Sequence, residues 1–432
     1  MSTLPLIAGA RERDIIAWHE GLALTLPQFQ DDVARVAGAL PDGACLINLC
    51  ENRYAFLLAF AAGLSRGLQT LLPPNRSEQT VADLLAEHAG GQVIDDAWVN
   101  AALADAAPLP PPQLIDADRL AVTLFTSGST GRPSAHRKRW RALFAGAELT
   151  RRRLPFPDGP CNLLATVPPQ HMFGLETTIV LPLVSGLRID TGRPFFPADV
   201  QARLAALPPP RVLVTTPLHL RACVEAGLRW PAVEFVLSAT APLPVELAAK
   251  AEAAFAAPVL EIYGSTETGA IATRRTTNGP LWTPYPGVRI TPTEDGACAE
   301  VAHLDDLRQP LNDLVEVEAD GRFRLLGRSA DLINIAGKRA SLADLNLKLQ
   351  AIEGVLDGVF VMPDHADERT RLCALVVAPS LSNQDILERL RRVLDPAFLP
   401  RPLYRVEALP RNAAGKLPRQ ALLDMLHTLG RD

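Results

Sequence analysis

The sequence predicts an α/β protein with more than one domain, and two observations lead to this fold class. Short apolar runs rich in β-branched residues alternate with longer stretches of alanine, leucine and glutamate that repeat with a helical period. In addition, 48% of the 432 residues are hydrophobic and charges of both signs are present, which is typical of a globular chain that buries a substantial core.

Six apolar runs are predicted strands, and several of them lead directly into small or polar residues. They cover residues 44–49, 120–125, 162–167, 211–215, 233–237 and 259–263. In layered α/β folds, ligand sites form where such strands end, so we expect the loops after five of these strands to converge on one crevice. These loops begin at Thr126, Pro168, Thr216, Ser238 and Gly264.

The predicted domain boundary lies near Ser329 and Ala330. Just before it, two runs with alternating apolar residues flank Asp320 and Gly321, a dipeptide that favours a tight hairpin turn. After it, the composition is that of a compact unit of about a hundred residues, which is a usual domain size. The proline-rich residues 108–112 are a second candidate linker, although a rigid surface loop fits them equally well.

Charge and hydropathy argue against two classes of function. The net charge is −5 and arginine is interspersed with aspartate and glutamate, so no basic face for nucleic acid is expected. No apolar run reaches the roughly 20 residues of a membrane-spanning helix, and the amino terminus lacks the features of a secretory signal. We expect a cytoplasmic protein whose six scattered cysteines are buried, reduced thiols.

A loop rich in hydroxyl groups and glycine follows the predicted strand at residues 120–125. It consists of Thr126, Ser127, Gly128, Ser129, Thr130 and Gly131. Glycine lets backbone N–H groups approach an anion, and the hydroxyl groups add further donors, so such a loop can surround phosphates. The Gly-Lys-Ser/Thr sequence of a Walker loop is absent, and without other signals an ordinary turn fits this segment as well.

Two further segments carry side chains suited to a nucleotide. In the first, Tyr263 can stack on a base, Thr266 can donate to a phosphate and Glu267 offers the hard oxygen that Mg²⁺ prefers. In the second, Lys416 follows a glycine near the carboxy terminus of a chain that has only five lysines. Each of these residues, taken alone, also fits an ordinary structural role.

Together and in this order, the three segments resemble the adenylate-forming superfamily. This superfamily includes acyl-CoA and aryl-CoA synthetases, the adenylation domains of peptide synthetases and firefly luciferase, and the resemblance extends from about residue 28 to residue 423. It implies a large amino-terminal domain of layered sheets and helices, residues 1–328, and a small mobile carboxy-terminal α+β domain, residues 332–432. The implied hinge is residues 329–331, centred on Ala330.

The resemblance also implies ATP and Mg²⁺ as cofactors. Tyr263 resembles the adenine-stacking residue, Asp313 the carboxylate that binds the ribose hydroxyls, and Arg328 the arginine that helps hold the nucleotide. The full set of implied ATP-binding residues is Thr126, Ser127, Gly128, Ser129, Thr130, Gly131, Lys138, Thr240, Ala241, Pro242, Tyr263, Gly264, Ser265, Thr266, Asp313 and Arg328.

Three residues are implied to be catalytic. Thr266 holds the α-phosphate, Glu267 binds Mg²⁺, and Lys416 contacts both the substrate carboxylate and the α-phosphate as pyrophosphate leaves. The protein needs no nucleophile of its own, because the carboxylate of the acid attacks. For the second half-reaction, the small domain rotates and replaces Lys416 by a face that admits a thiol.

The sequence departs from the superfamily pattern at several positions. Ala330 stands where many relatives carry aspartate at the pivot, and Asn334 replaces a common lysine. Ser134 replaces the lysine that usually follows the phosphate loop, and Lys138, four residues later, is the candidate substitute. Residues 238–242 keep small side chains but lack both glycines of the usual adenine-binding segment.

The acid substrate is expected beside residues 168–175, where relatives place an aromatic or histidine gate. The implied substrate-binding residues are His171, Phe173, Gly174, Thr216, Ser238 and Ser265, and His219 adds polarity. The hydroxyl groups of Thr216, Ser238 and Ser265 suit a phenol or another small polar group better than a long alkyl chain. A histidine on a loop fits a structural role equally well, so the assignment of His171 rests on the resemblance.

Residues 133–140, 167–171 and 237–242 resemble the compact ligases of bacterial aryl polyene and xanthomonadin-type pigment clusters. This resemblance implies a small carboxylic acid related to hydroxybenzoate as substrate and acyl carrier protein as thiol acceptor, with CoA as the alternative acceptor. A basic face suits either acceptor, and its candidate residues are Lys338, Arg339, Arg411 and Arg419. A luciferase-like oxidoreductase and a catalytically degenerate nucleotide- or acyl-binding protein stay open as alternatives, although the intact catalytic residues argue against the second.

Overall fold

The structure, a computed structural model, describes residues 2–9, 14–43, 45–112, 114–126, 134–293, 296–328, 332–335, 338–363, 372–411 and 417–430. Of residues 328, 332, 334 and 339 it describes the backbone alone. Strands and helices alternate along the chain, and the predicted α/β class of layered sheets and helices is confirmed.

The described residues form strands and helices that are numbered in chain order. The strands are β1 (Thr3–Pro5), β2 (Ile15–His19), β3 (Leu22–Thr25), β4 (Cys45–Asn48), β5 (Gln69–Leu72), β6 (Gln92–Ile94), β7 (Leu114–Asp116), β8 (Leu120–Thr126), β9 (Ser134–Arg139), β10 (Asn162–Ala165), β11 (Arg188–Asp190), β12 (Arg211–Thr215), β13 (Phe235–Ser238), β14 (Val259–Ser265), β15 (Gly269–Arg275), β16 (Thr283–Pro284), β17 (Val288–Thr293), β18 (Gly296–Val301), β19 (Arg308–Leu311), β20 (Asp313–Val317), β21 (Phe323–Arg328), β22 (Leu332–Ile335), β23 (Lys338–Ser341), β24 (Asp357–Val361), β25 (Cys373–Val377) and β26 (Leu403–Arg405). The helices are α1 (Leu26–Ala39), α2 (Arg53–Arg66), α3 (Glu78–Glu87), α4 (Asp96–Asp105), α5 (Trp140–Arg153), α6 (Met172–Leu175), α7 (Leu181–Ser185), α8 (Pro197–Ala206), α9 (Pro217–Glu225), α10 (Val245–Phe255), α11 (Leu342–Gln350), α12 (Asn383–Arg391) and α13 (Arg419–Leu429). A π-helical segment, Glu176–Val180, joins α6 to α7.

The larger sheet has nine strands in the order β16-β15-β14-β13-β12-β10-β11-β2-β3. The strands from β14 to β2 are parallel, whereas β15, β16 and β3 pair antiparallel with their neighbours at the two edges. Thr215, Ser238 and Glu261 lie side by side in register. The carboxyl ends of these parallel strands therefore open at one edge of the sheet, where the sequence predicts a crevice.

The smaller sheet has five strands in the order β6-β4-β5-β8-β9, with β9 antiparallel to β8. The pair β8 and β9 flanks the predicted phosphate loop, and Thr126 pairs with Ser134 across the hairpin. Residues 127–133 lie outside the described residues. The hairpin thus fixes where the two ends of this loop leave the sheet.

Helix α2 joins the two sheets into one core. It is buried on every side from Arg53 to Leu64, as expected for a helix that is apolar all round. Asn52 caps its first turn by accepting hydrogen bonds from the N–H groups of Tyr54 and Ala55. The helix packs on β4 and β5 of the smaller sheet, while Arg53 reaches the end of β10 in the larger sheet. No helix in the described part of the chain is both long and apolar enough to cross a membrane.

The residues after 332 have a core of their own. Strands β24 to β26 pack with α11 and α12 around a cluster that includes Leu345, Phe360 and Ile386. The cluster that precedes it in the chain ends at Leu325. This change of core supports the predicted division into residues 1–328 and 332–432, which stays a prediction together with its hinge.

The local predictions agree closely with the structure. All six predicted strands are present, with bounds within two residues of the predicted ones. The predicted hairpin is present as β20 and β21, and Gly321 in its turn has a φ of 83°, a conformation that favours glycine. All six cysteines are free and buried, as predicted.

Candidate active site

Strand β9 links Thr126, the first residue of the predicted phosphate loop, to the loop that follows β14. His136 Nε2 lies 3.0 Å from Thr126 Oγ1 and 3.8 Å from Glu267 Oε1. Two residues further on, the ammonium group of Lys138 donates a hydrogen bond to the main-chain carbonyl of Glu267. Thr126 and Lys138, which the resemblance assigns to ATP, therefore lie close to Glu267, which it assigns to Mg²⁺. The sequence does not predict His136, although strand alternation, which places it on the same face as Lys138, is a signal for it.

Lys138 lies beneath this loop, with only 5% of its surface exposed. Burial lowers the pKa of its ammonium group, and the carboxylates of Glu176, Glu267 and Asp305 oppose this shift. Because the ammonium group donates to the main-chain carbonyl of Glu267, it supports the backbone of the loop that follows β14. A contact between Lys138 and the ATP phosphates stays a prediction.

Glu267 presents its carboxylate to the crevice, and 41% of its side chain is exposed. Burial by itself raises its pKa, but a hydrogen bond with Ser265 and the nearby His136 and Lys138 more than offset this effect, so the pKa lies below its ordinary value. The carboxylate is therefore ionised at neutral pH. It fits a ligand of Mg²⁺, which prefers hard oxygen donors and is usually held by one or two carboxylates together with substrate phosphates.

The turn that carries Thr266 and Glu267 is closed by reciprocal hydrogen bonds. The N–H group of Ser265 donates to Thr268 Oγ1 at 3.0 Å, and the N–H group of Thr268 donates to Ser265 Oγ at 3.2 Å. Just before the turn, a Cβ atom on Gly264 would clash with the main-chain oxygen at the end of the turn. Two backbone segments approach so closely there that only glycine fits.

The predicted adenine and ribose residues are in direct contact. The hydroxyl group of Tyr263 donates to Asp313 Oδ2 at 2.7 Å. Its ring packs against Trp282 and Phe323, with centroid separations of 5.6 and 5.7 Å. Asp313 pairs across the hairpin with Arg328, whose side chain lies outside the described residues. The contact between Tyr263 and Asp313 orients both groups at one end of the crevice.

The loop after β13 is open and strained. Thr240, Ala241 and Pro242 are exposed at the crevice edge, and Thr240 has a φ of 80°. A β-branched residue rarely adopts this left-handed conformation, and strain of this kind collects at functional sites. Glycine adopts it freely. Because residues 238–242 lack glycine, the backbone at Thr240 is strained at the predicted adenine edge.

The predicted acid pocket contains a buried hydroxyl group without a partner. Ser238 is fully buried at the end of β13, and its Oγ atom has no hydrogen-bond partner among the described residues. At the end of the neighbouring β12, Thr216 Oγ1 and His219 Nδ1 lie 3.0 Å apart. Burial and then the charge of Arg193 lower the pKa of His219, so its ring is neutral at pH 7. Because buried polar atoms are normally bonded, Ser238 fits a polar group of a ligand.

The predicted gate lies at the start of helix α6. His171 immediately precedes this helix, which carries Phe173 and Gly174, and both His171 and Phe173 are partly exposed. A Cβ atom on Gly174 would clash with the main-chain oxygen of Pro168, so glycine lets the helix pack against the loop before it. Contact of these residues with the acid stays a prediction.

Arg53 is a buried arginine beneath the gate that the sequence does not predict. Its Nη1 donates to Thr178 Oγ1 at 2.6 Å, and its Nη2 donates to the carbonyls of Ala165 and Val167 at 3.0 and 2.9 Å. It therefore ties the end of β10 to the π-helical segment. An arginine at the head of a long apolar run is the signal that indicates such a role.

Glu176 is a second charged residue that the sequence does not predict. It begins the π-helical segment, and its carboxylate accepts a hydrogen bond from the N–H group of Ala270 at 3.1 Å. It keeps partial solvent exposure, yet it lies deep in the protein, and burial raises the pKa of its carboxyl group to about 7, opposed by the charge of Lys138. Its position directly after the predicted gate is the signal that could have indicated it.

Several predicted site residues lie outside the described residues. They are Ser127, Gly128, Ser129, Thr130, Gly131, Ala330 and Lys416.

Comparisons with known proteins show the family to which this chain belongs. The AMP-binding enzyme family matches residues 69–315, which is more than half of the chain. The 4-coumarate–CoA ligase of Halorhodospira halophila is 29% identical over 318 residues, which cover 68% of this chain and 74% of that protein. The 3-hydroxybenzoate–CoA/4-hydroxybenzoate–CoA ligase of Thauera aromatica is 26% identical over 352 residues, which cover 72% of this chain and 67% of that protein.

A solved structure shares the fold over nearly the whole length. The o-succinylbenzoate–CoA synthetase of Bacillus subtilis, in complex with ATP and a magnesium ion, has a TM-score of 0.83 at 18% identity. The match covers 97% of this chain and 99% of that one. Since the family match covers more than half of the chain and includes Tyr263, Glu267 and Asp313, this chain belongs to the AMP-binding enzyme family and is an AMP-forming acid–thiol ligase that uses ATP.

Proposed function

We propose that the ligase activates a small aryl acid of the hydroxybenzoate class and transfers the aroyl group to the thiol of an acyl carrier protein. The observation that carries the substrate class is the buried Ser238 Oγ atom, which has no partner among the described residues. A phenol can satisfy this atom, whereas an alkyl chain would leave it unpaired at a cost. The name of the Thauera aromatica relative, which includes 3- and 4-hydroxybenzoate, supports the same class.

In the first half-reaction, an oxygen of the substrate carboxylate attacks the α-phosphorus of ATP, the bond to the bridging oxygen breaks and pyrophosphate leaves. Tyr263 and Asp313 hold the adenosine, and Thr266 orients the α-phosphate for this attack. Lys416 places its positive charge between the two anions that approach each other. Glu267 would hold Mg²⁺, which would neutralise negative charge on the phosphates.

In the second half-reaction, the sulfur of the acceptor attacks the acyl carbonyl, the acyl–phosphate bond breaks and AMP leaves. We propose that residues 332–432 rotate about Ala330 between the two steps, so that Lys416 leaves the crevice and the thiol enters. The change of core between Leu325 and Ile333 supports this motion, since each side of the hinge packs mainly with itself.

CoA is the alternative acceptor, and the predicted basic face is less positive than the sequence suggests. The contacts are Lys338 with Asp395 at 2.6 Å, Arg411 with Asp357 at 2.7 Å, and Arg419 with the Met362 carbonyl at 3.1 Å. The side chain of Arg339 lies outside the described residues. These contacts weaken the face as a site for either partner. The choice of acyl carrier protein rests on the resemblance to the pigment-cluster ligases.

The substrate is tested by exchange of labelled pyrophosphate into ATP across benzoates, hydroxybenzoates, cinnamates and fatty acids. We expect the fastest exchange with a hydroxybenzoate. Faster exchange with a fatty acid would overturn the aryl assignment. The absence of exchange with every acid, although ATP binds, would overturn the hydroxybenzoate assignment. It would favour a catalytically degenerate binding protein or a substrate outside the tested acids.

The acceptor is tested with the acid that gives the fastest exchange. Holo acyl carrier protein, its apo form and CoA are compared at equal concentration, and mass spectrometry detects the acylated thiol. We expect the holo carrier to be acylated fastest and the apo carrier, which has no thiol on its serine, not to react. Faster thioester formation with CoA would overturn the carrier assignment.

Lys416→Ala separates the two half-reactions. We expect adenylate formation to fall at least about a thousandfold, because the charge between two approaching anions is lost, while thioester formation from a supplied acyl adenylate stays within about threefold. Pyrophosphate exchange measures the first step and thioester formation measures the second. Equal loss in both steps would contradict the assignment.

A further inference from the structure

The turn that carries Thr266 and Glu267 is fixed at both ends by charged side chains from other elements. Lys138 donates a hydrogen bond to the main-chain carbonyl of Glu267. Three residues later, the N–H group of Ala270 donates to Glu176 at 3.1 Å. The two side chains have opposite charges, and both hold the backbone of the turn.

Lys138 is buried, and Glu176 is partly buried. Lys138 is 5% exposed, and the carboxylate of Glu176 lies so close to Gly269 that an added Cβ atom there would clash with it. Removing a charge from water is costly unless an opposite charge offsets it. Burial lowers the pKa of Lys138 and raises the pKa of Glu176, and the charge of each residue opposes the shift of the other. Each residue therefore makes the burial of the other tolerable.

The two residues come from the two substrate sites. Lys138 lies on β9, the strand that leaves the phosphate loop. Glu176 begins the π-helical segment that follows the gate helix α6. Segments of this kind interrupt a regular helix and recur at functional sites. The turn is thus the place where the nucleotide side and the acid side of the crevice meet.

We propose that Lys138 and Glu176 are a pair of positioning residues that set the place of Thr266 and Glu267 relative to the ATP phosphates and the acid pocket. They act through the backbone of the turn. The inference rests on the assignment of Glu267 to the metal ion and is independent of which acid or thiol the enzyme uses.

A double-mutant cycle with Lys138→Met and Glu176→Gln tests the pair in the full-length protein. Methionine fills similar space without a charge, and glutamine keeps an acceptor for the Ala270 N–H group. Each single variant removes one of the two opposite charges and keeps the other. We expect each to weaken the binding of Mn²⁺, the probe for Mg²⁺, in the presence of ATP by about tenfold, measured by electron paramagnetic resonance. The double variant should recover to within about threefold of the wild type.

An exposed pair on α11 provides the matched control. Lys348 Nζ lies 2.8 Å from Asp344 Oδ2 on the surface of the small domain. Lys348→Met and Asp344→Asn make the same kinds of chemical change and should leave Mn²⁺ affinity unaltered, because exposed pairs contribute little. Glu267→Gln is the positive control and should weaken Mn²⁺ binding by itself.

Two outcomes would overturn the proposal. Losses of affinity that add in the double variant would show that the two residues do not act as a pair. Unchanged Mn²⁺ affinity in both single variants, with a lowered melting temperature, would leave them a stabilising role only. Glu176→Gln changes the volume least and keeps the test open should Lys138→Met not fold. No acid or thiol is present in these measurements, so failure of the proposed substrate class is distinguishable from failure here.

Discussion

Two loops leave neighbouring parallel strands at the crevice edge, and they are built in opposite ways. The loop after β14 is fixed at many points, since Ser265 and Thr268 close its turn and Lys138 and Glu176 hold its backbone. The loop after β13 is exposed, strained at Thr240 and adjoins the unpaired hydroxyl of Ser238. The fixed loop suits groups that must be placed accurately for phosphate chemistry. The open loop suits recognition that the ligand itself completes.

The largest effect is expected from crowding the fixed loop. Gly264→Ala should lower the free energy of unfolding by about 3 kcal/mol, because the added methyl group meets backbone that cannot move aside. Urea denaturation measures this loss. Gly227→Ala is the control, since Gly227 has a φ of 61° but open space beside it, and it should cost about 1 kcal/mol. Equal losses in the two variants would mean that close approach is not what fixes the loop.

The open side is tested at Ser238. Ser238→Ala should lower kcat/KM for the preferred hydroxybenzoate by about tenfold, because the phenol loses its partner in a buried site. The value for benzoate, which lacks the phenol, should change by less than about twofold. Free energy of unfolding without ligand should not fall, since the hydroxyl has no partner among the described residues. An equal loss for both acids would contradict recognition by this hydroxyl.

A smaller effect is expected from relieving the strain in the open loop. Thr240→Gly should raise the free energy of unfolding by about 0.5 to 1 kcal/mol, because the strain it removes exceeds the added freedom of glycine in the unfolded chain. Urea denaturation measures whether the free energy of unfolding rises or falls. Ala241→Gly, at a position with an ordinary φ, should instead be destabilising. Destabilisation by Thr240→Gly would show that Thr240 makes contacts worth more than its strain.

The smallest effect concerns the start of β14, the strand that leads into the fixed loop, and it depends on pH. Glu252 accepts a hydrogen bond from the N–H group of Val259 at 3.0 Å, where β14 begins, and binds Arg275. Burial raises the pKa of Glu252, but its hydrogen bonds outweigh this and place the pKa below its ordinary value. A lowered pKa in the folded state adds stability above the unfolded pKa, and this is lost as pH falls through the folded pKa.

Glu252→Gln should therefore be less stable than the wild type at pH 7, and the difference should shrink as the pH falls below the ordinary pKa of a glutamate and through the lowered pKa of Glu252. Urea denaturation at several pH values measures this convergence. A difference that stays constant with pH would mean that the charge of Glu252 plays no part.

Local sequence patterns predict the sheets and the place of the crevice well. The run at residues 211–215 matches β12 at both ends, and the run at 233–237 is shifted by at most two residues from β13. The shift arises because pairing with β12 begins at Phe235 opposite Val212, and pairing depends on the partner strand. Short apolar runs and turn residues are local signals, so they can be interpreted from the sequence without knowledge of the fold.

The interactions that fix the site are not local and could not be predicted. Lys138 bonds to a carbonyl 129 positions away, and Arg53 to a hydroxyl 125 positions away. The φ of Thr240 depends on how β13 is joined to α10, and it is a conformation that a β-branched residue disfavours. The resemblance assigns Tyr263 and Asp313 to neighbouring parts of ATP, but the direct hydrogen bond between them could not be predicted without the fold.

The burial of every cysteine has a consequence for an enzyme that makes an activated acyl group. An acyl adenylate reacts with thiolates, so an accessible thiolate on the protein would capture the intermediate and inactivate the site by self-acylation. All six thiols are enclosed. Burial raises the pKa of Cys161 and Cys223 to about 12, which keeps them protonated. The protein is thereby protected from acylation by its own acyl adenylate, and the acyl group stays available for the acceptor thiol.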